Sequence, residues 1–179
     1  MDDDTDIAYQ IDPVTGTVVH SFGIPFVTSI SIGIAWDGCS LWLIGYSTAN
    51  MYQVNPVTGT IERSVPGNIG ISSIEWDGRA LWTISAVTDF LECRSPLTGT
   101  ILHALNTPAI EPRGIAWDGR AMWHSDIATD LIYLLDVVTG TEILSFASPV
   151  LNPMGLAWDG RSLWMVSQVT NMVYQVAVN

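Results

Sequence analysis

Apolar and polar residues alternate along this chain in short runs of four to six, cut by Asp-Gly, Thr-Gly and Asn-Pro dipeptides. A period of two bounded by turn residues predicts strands, whereas helices would need apolar positions three and four apart. The runs also recur. Gly-Ile-Ala-Trp-Asp-Gly-Cys-Ser-Leu-Trp at 33–42 returns as Ser-Ile-Glu-Trp-Asp-Gly-Arg-Ala-Leu-Trp at 73–82. It returns again as Gly-Ile-Ala-Trp-Asp-Gly-Arg-Ala-Met-Trp at 114–123 and Gly-Leu-Ala-Trp-Asp-Gly-Arg-Ser-Leu-Trp at 155–164. These four copies use all eight tryptophans. Aligned on Trp36, Trp76, Trp117 and Trp158, they stand 40, 41 and 41 residues apart, the spacing of four-stranded propeller blades. The expected fold is all-β: a β-propeller of four four-stranded blades in one domain over 1–179.

Each motif reads as a hairpin. Asp37-Gly38 predicts a two-residue type I′ turn, with positive φ at both residues, which sets Trp36 opposite Cys39, Ile34 opposite Leu41 and Gly33 opposite Trp42. Alternation then sends the two indoles of a hairpin to opposite faces. The second indole lies across a small residue: Gly33, Ser73, Gly114 or Gly155. Each blade therefore offers one tryptophan to each neighbour. Burying one indole contributes on the order of 4–6 kcal/mol as an upper bound, so the tryptophans read as packing between blades rather than as sugar-stacking platforms of a lectin.

A third run follows each hairpin (51–54, 91–94, 132–135, 173–176), and in three copies a turn and a fourth run follow that (61–65, 101–105, 142–146). The blade repeats lie near 33–72, 73–113, 114–154 and 155–179. Residues 7–11 match a third strand and 18–22 a fourth, while the chain stops after a third strand at 172–176. The expected closure is a velcro latch in which 7–22 completes the last blade. One strand is left over: seventeen runs exceed four blades of four. Residues 7–11 then pair outside 18–22, compete with 172–176 or reach another molecule. An open four-blade unit dimerising into an eight-bladed ring is the second arrangement these ends permit.

Composition narrows the function. Six Arg, no Lys and eighteen acidic residues give a net charge of -12, which argues against nucleic acid or an anionic membrane as partner. Asp2 to Asp4 with Asp6 read as a solvated tail. No secretory signal or apolar run of membrane-spanning length is visible, so the expected location is cytoplasmic. Cys39 and Cys93 occupy non-equivalent places and read as free thiols; neither a zinc site nor any other cofactor is expected.

The strings Gly-Ile-Ala-Trp-Asp-Gly…Leu-Trp and Tyr-Gln-Val-Asn-Pro-Val-Thr-Gly-Thr (52–60) resemble blades of the glutamine cyclotransferase, NHL and virginiamycin B lyase-like group of propellers, over nearly the whole chain. The resemblance implies the propeller fold. The cyclotransferase family is a five-bladed ring, whereas this chain has four copies. The lyase family implies a metal-supported His and Glu constellation, which no motif places here.

Residues present in every copy belong to the blade, so a site is sought where one copy departs. Glu75 replaces Ala35, Ala116 and Ala157 on the innermost strand. His124 stands where Leu43, Thr83 and Met165 stand, with Asp126 two residues on; such a pair orients an imidazole for acid and base work, or else is a polar exposed strand edge. Glu111 and Arg113 bind a small anion or pair with each other. Glu92 replaces Tyr52, Tyr133 and Tyr174 and reads as a surface charge. No catalytic residue is assigned; Glu75, Arg113, His124 and Asp126 are the candidate ligand-binding residues. The first reading is a non-enzymatic scaffold, monomer or homodimer, that binds a small molecule or protein through its loops or channel. The second is a cyclotransferase-like or lyase-like enzyme using Glu75 or the His124 and Asp126 pair.

Overall fold

The computed structural model describes residues 5–25, 33–45 and 48–178, so the run Asp2 to Asp4 lies outside the described residues. It is all-β, with four antiparallel blades arranged as a four-bladed β-propeller. The N-terminal strands are β1 (Ile7–Ile11) and β2 (Val18–Gly23). The first blade is β3 (Ile34–Trp36), β4 (Leu41–Gly45), β5 (Asn50–Val54) and β6 (Ile61–Pro66). The second is β7 (Ile71–Trp76), β8 (Leu81–Ser85), β9 (Phe90–Arg94) and β10 (Ile101–Asn106). The third is β11 (Pro112–Trp117), β12 (Met122–Asp126), β13 (Leu131–Leu135) and β14 (Glu142–Ala147). The fourth holds β15 (Pro153–Trp158), β16 (Leu163–Ser167) and β17 (Met172–Val176).

The hairpin register differs from the one expected. Trp36 pairs with Leu41, Ala35 with Trp42 and Ile34 with Leu43. The cause is the Asp37 carboxylate. Its Oδ1 accepts the amides of Cys39 at 2.9 Å and Ser40 at 2.7 Å, which makes a four-residue loop in which only Gly38, at φ 96°, is left-handed. Its Oδ2 accepts Trp42 Nε1 at 2.9 Å. The aspartate thus ties the turn to the indole that follows it. A slip of two positions returns every side chain to the same face, so the opposed indoles remain as expected.

The outer turns agree with the sequence. Asn55 Oδ1 accepts the amides of Val57 and Thr58 at 2.9 and 3.1 Å, and Gly59 takes a φ of 71°. Asp12 and Gly16 repeat this geometry ahead of β2.

Apolar clusters lie between blades. One joins Trp42, Ile44 and Met51 to Ile71, Ile74, Leu81 and Trp76; the next joins Trp82, Ile84 and Leu91 to Ile115, Met122 and Trp117. A third joins Trp123, Ile132 and Leu134 to Leu163, Met165 and Trp158. In every junction the second indole of one blade and the first indole of the next close on the same cluster. The small residue on the inner strand admits close approach: a Cβ on Gly33 would sit 2.7 Å from the Ile74 amide nitrogen, and one on Gly114 2.6 Å from that of Leu156.

The chain ends pair differently from the expected latch. β2 is bonded to β1 in a two-stranded sheet of its own, and β15 to β17 form a three-stranded sheet. Of the three fates open to the extra strand, pairing outside 18–22 is the one seen. The physical reason is locality. The Asp12 to Thr17 turn closes a short hairpin, whereas pairing β2 with β17 would close a loop spanning most of the chain, at a greater entropic cost. Ala8, Phe22 and Ile24 then pack on Leu43, Tyr52 and Val54 of the first blade.

Replacing Asp77, which accepts the amides of Arg79 and Ala80 and Trp82 Nε1 at 2.7 Å each, removes three bonds at once. Asp77→Ala is expected to lower unfolding free energy by about 2–3 kcal/mol in urea denaturation. Cys39→Ser, at an exposed turn position, is expected to change it by less than about 0.5 kcal/mol.

Candidate functional site

Glu75 sits near the end of β7 on the face turned to the third blade. Its Oε1 accepts its own neighbour's amide, Trp76, at 2.9 Å, and the Trp117 amide of β11 also supports it. Burial outweighs these bonds and raises its carboxyl to about 7. No cation pairs with it among the described ion pairs. Glu75 is therefore a proton-holding group inside a blade junction.

The structure separates His124 and Asp126 in role, although both lie on β12 and both are fully buried rather than on an exposed edge. The His124 ring stacks on Tyr133, its cross-strand partner, with centroids 4.8 Å apart and planes 13° off parallel. Its Nδ1 lies 3.5 Å from the Ser125 carbonyl oxygen, and Nε2 has no partner among the described residues. Burial is the main cause that lowers its pKa to about 4, against weaker raising effects of the Ser125 carbonyl, Asp126 and Glu142. The Asp126 carboxylate is occupied elsewhere. Oδ2 accepts the Glu111 amide at 2.8 Å, and Oδ1 accepts the Ala128 amide at 3.0 Å, the Thr129 amide at 2.9 Å and the Thr129 hydroxyl at 3.0 Å. It caps a turn and does not orient the imidazole.

Arg113 is half-buried on β11, and its Nε has no partner among the described residues. Glu111 contributes its backbone amide to Asp126 rather than its carboxylate to Arg113. Cys39 and Cys93 are free thiols.

One polar cluster was not anticipated. Glu92 is buried, not a surface charge: it forms an ion pair with Arg94, whose Nε donates to Thr83 Oγ1 and whose Nη1 donates to the Gly99 carbonyl, each at 3.0 Å. The signal was present in the repeats. Thr83, Glu92 and Arg94 replace Leu43, Tyr52 and Val54, three positions that are adjacent across β8 and β9. Reading the three departures together would have found the cluster; reading Glu92 alone did not.

The cavities lie elsewhere. A hollow of about 520 Å³ beside the N-terminal sheet is lined by Tyr9, His20, Phe22, Ile34, Trp36 and Leu41. His20 Nε2, buried and without a partner among the described residues, belongs to the same wall. A second cavity of about 320 Å³ runs from Ile34 and Ser73 to Trp164, Val166 and Val173. None of the four candidate ligand-binding residues lines either space. Among the described residues no helix is long and apolar enough to cross a membrane.

This geometry matches known propellers. The likeness is one of fold. A glutaminyl cyclase from Myxococcus xanthus superposes with a TM-score of 0.77 at 12% identity, over 97% of this chain and 83% of that one. Virginiamycin B lyase from Staphylococcus aureus gives 0.59 at 19% identity, over 98% of this chain and 64% of the lyase. The computationally designed protein Ika4 gives 0.61 at 11% identity, over 88% and 96%. No family model matches the chain, and no curated protein matches it in sequence. The resemblance drawn from the repeat strings therefore holds for the architecture.

Two opposed pH dependences follow. Glu75 has a raised folded pKa, so its neutral form contributes stability that is complete below the unfolded value of 4.5 and is lost as pH rises through about 7. His124 has a lowered one, so its contribution is complete above 6.5 and is lost as pH falls through about 4. Each amounts to roughly 3 kcal/mol. Chemical denaturation across pH 4 to 8 is expected to show the alkaline loss vanish in Glu75→Gln and the acid loss shrink in His124→Leu. Unchanged profiles would contradict these assignments.

Proposed function

We propose that this protein is a non-enzymatic propeller scaffold that binds a partner or small ligand through apolar surface at the open side of its ring. The observation that carries this reading is the separation of chemistry from space. The ionisable candidates are built into blade junctions and turns, while the two hollows present Tyr9, Phe22, Ile34, Trp36, Val166 and Val173. Apolar hollows of several hundred Å³ with few polar groups are characteristic of binding sites. His20 and Gln10 supply the polar atoms in the larger one.

The competing reading, a cyclotransferase-like or lyase-like enzyme, draws on two of the structural neighbours, a glutaminyl cyclase and a virginiamycin B lyase. Glu75, with a carboxyl raised to about 7, is the one group with the proton affinity such an enzyme would use.

The two readings separate in one set of assays. The purified chain is expected to show no glutaminyl cyclase or virginiamycin B lyase turnover above buffer, and to enhance the fluorescence of anilinonaphthalene sulfonate. The fluorescence gain is expected to disappear in Trp36→Asp and to persist in Glu75→Gln. Turnover that is abolished by Glu75→Gln would overturn the scaffold reading.

A further inference from the structure

The three junctions inside the chain are variations on one contact. The forward face of a blade, carrying its second indole and its small inner-strand residue, packs on the back face of the next, carrying the first indole and an isoleucine or leucine. One unused copy of each face remains. On the fourth blade, a Cβ on Gly155 would meet only Val166 of its own hairpin, at 3.1 Å, where Gly33 and Gly114 abut the next blade's backbone. Val166, Met172 and Val173 are exposed there. At the other end, Ile34 is 44% and Trp36 51% exposed, whereas Ile74 and Ile115, in the place of Ile34, are each 1% exposed. The outer turns repeat the contrast. Gly59 lies against Phe22, at 2.8 Å from a Cβ, and Gly140 against Leu105, at 3.2 Å, but Gly16 has nothing within 4 Å.

From this we infer that the two open faces dock head to tail on a second copy of the chain, closing two molecules into one ring. This names the partner for the apolar surface proposed above and rests on that reading. Three features select a second copy as occupant. The complement of each open face is known, because the chain itself carries it at its other end. Within one molecule the N-terminal sheet stays on the first blade and β17 on the fourth, so one chain leaves the junction unmade. The free edge of β17 also lacks a fourth strand, and the opposing end carries one in β2. The Tyr-Gln pairs at 9–10 and 174–175 make β1 and β17 equivalent third strands, so one of them yields its place when the junction forms. The contact is heterologous, since different faces meet, and two such contacts related by a two-fold axis complete the ring.

The test is mass in solution by light scattering across the micromolar range, with two exposed positions altered. The unaltered chain is expected at twice 19.5 kDa, and Trp36→Arg and Val173→Arg each at the single mass. Mixing these two variants is decisive. Each retains the face that the other has lost, so one intact junction can form, and the mixture is expected to regain the double mass. A self-matching interface would give no such recovery. A single mass for the unaltered chain at all concentrations, larger open-ended species, or no recovery on mixing would overturn the inference. Circular dichroism of both variants checks that they fold. Anilinonaphthalene sulfonate bound to Val173→Arg, whose hollow at Trp36 is untouched, keeps the two readings apart. Dye binding with a chain that stays single overturns only the ring, whereas a single chain with no dye binding overturns both.

Discussion

Everything in this molecule depends on covering two apolar faces per blade. A small antiparallel sheet that is apolar on both sides has no stability alone and must be sandwiched. Here the sandwich is made by a pair of indoles from consecutive hairpins closing on one cluster, as Trp42 and Trp76 do around Ile74 and Leu81. The Trp-Asp-Gly turn serves that contact. The carboxylate sets the loop and holds the second indole by its Nε1 in three of the four copies, while in the third copy Trp123 Nε1 has no partner among the described residues.

Against that regular background the polar insertions stand in the junctions rather than on the surface. Arg94, Glu92 and Thr83 lie on the face of the second blade that looks back to the first. Glu75, His124 and Tyr133 lie between the second and third. A buried ion pair is costly to desolvate and is tolerated where its hydrogen bonds are complete, as those of Arg94 are with Thr83 and the Gly99 carbonyl. His124 is tolerated by a different route: it stays neutral and stacks flat on Tyr133. The copies therefore diverge most in the polar content of their contacts, while their strands and turns remain alike.

Much of the fold was legible in one dimension. The seventeen strands, the outer Asn/Asp-Pro-x-x-Gly turns and the opposed indoles follow from alternation and spacing. The inner-turn register did not follow, because an Asp-Gly pair is compatible with both a two-residue turn and the four-residue loop that the carboxylate stabilises. The candidate residues were legible as departures from the repeat but not as roles. Asp126 looked like a partner for His124 until its oxygens were found on the amides of Glu111, Ala128 and Thr129, and those groups come from loops whose path no spacing reveals.

What the sequence determined by itself was the unit: a four-stranded blade of about 41 residues with one tryptophan for each neighbour, because alternation and turn chemistry are local. Only the tertiary structure decided how the units end. Whether β2 completes the last blade or pairs with β1 is a competition between a short hairpin and a contact across nearly the full chain. The shorter loop wins on entropy, and Ile34, Trp36, Val166 and Val173 are left facing solvent.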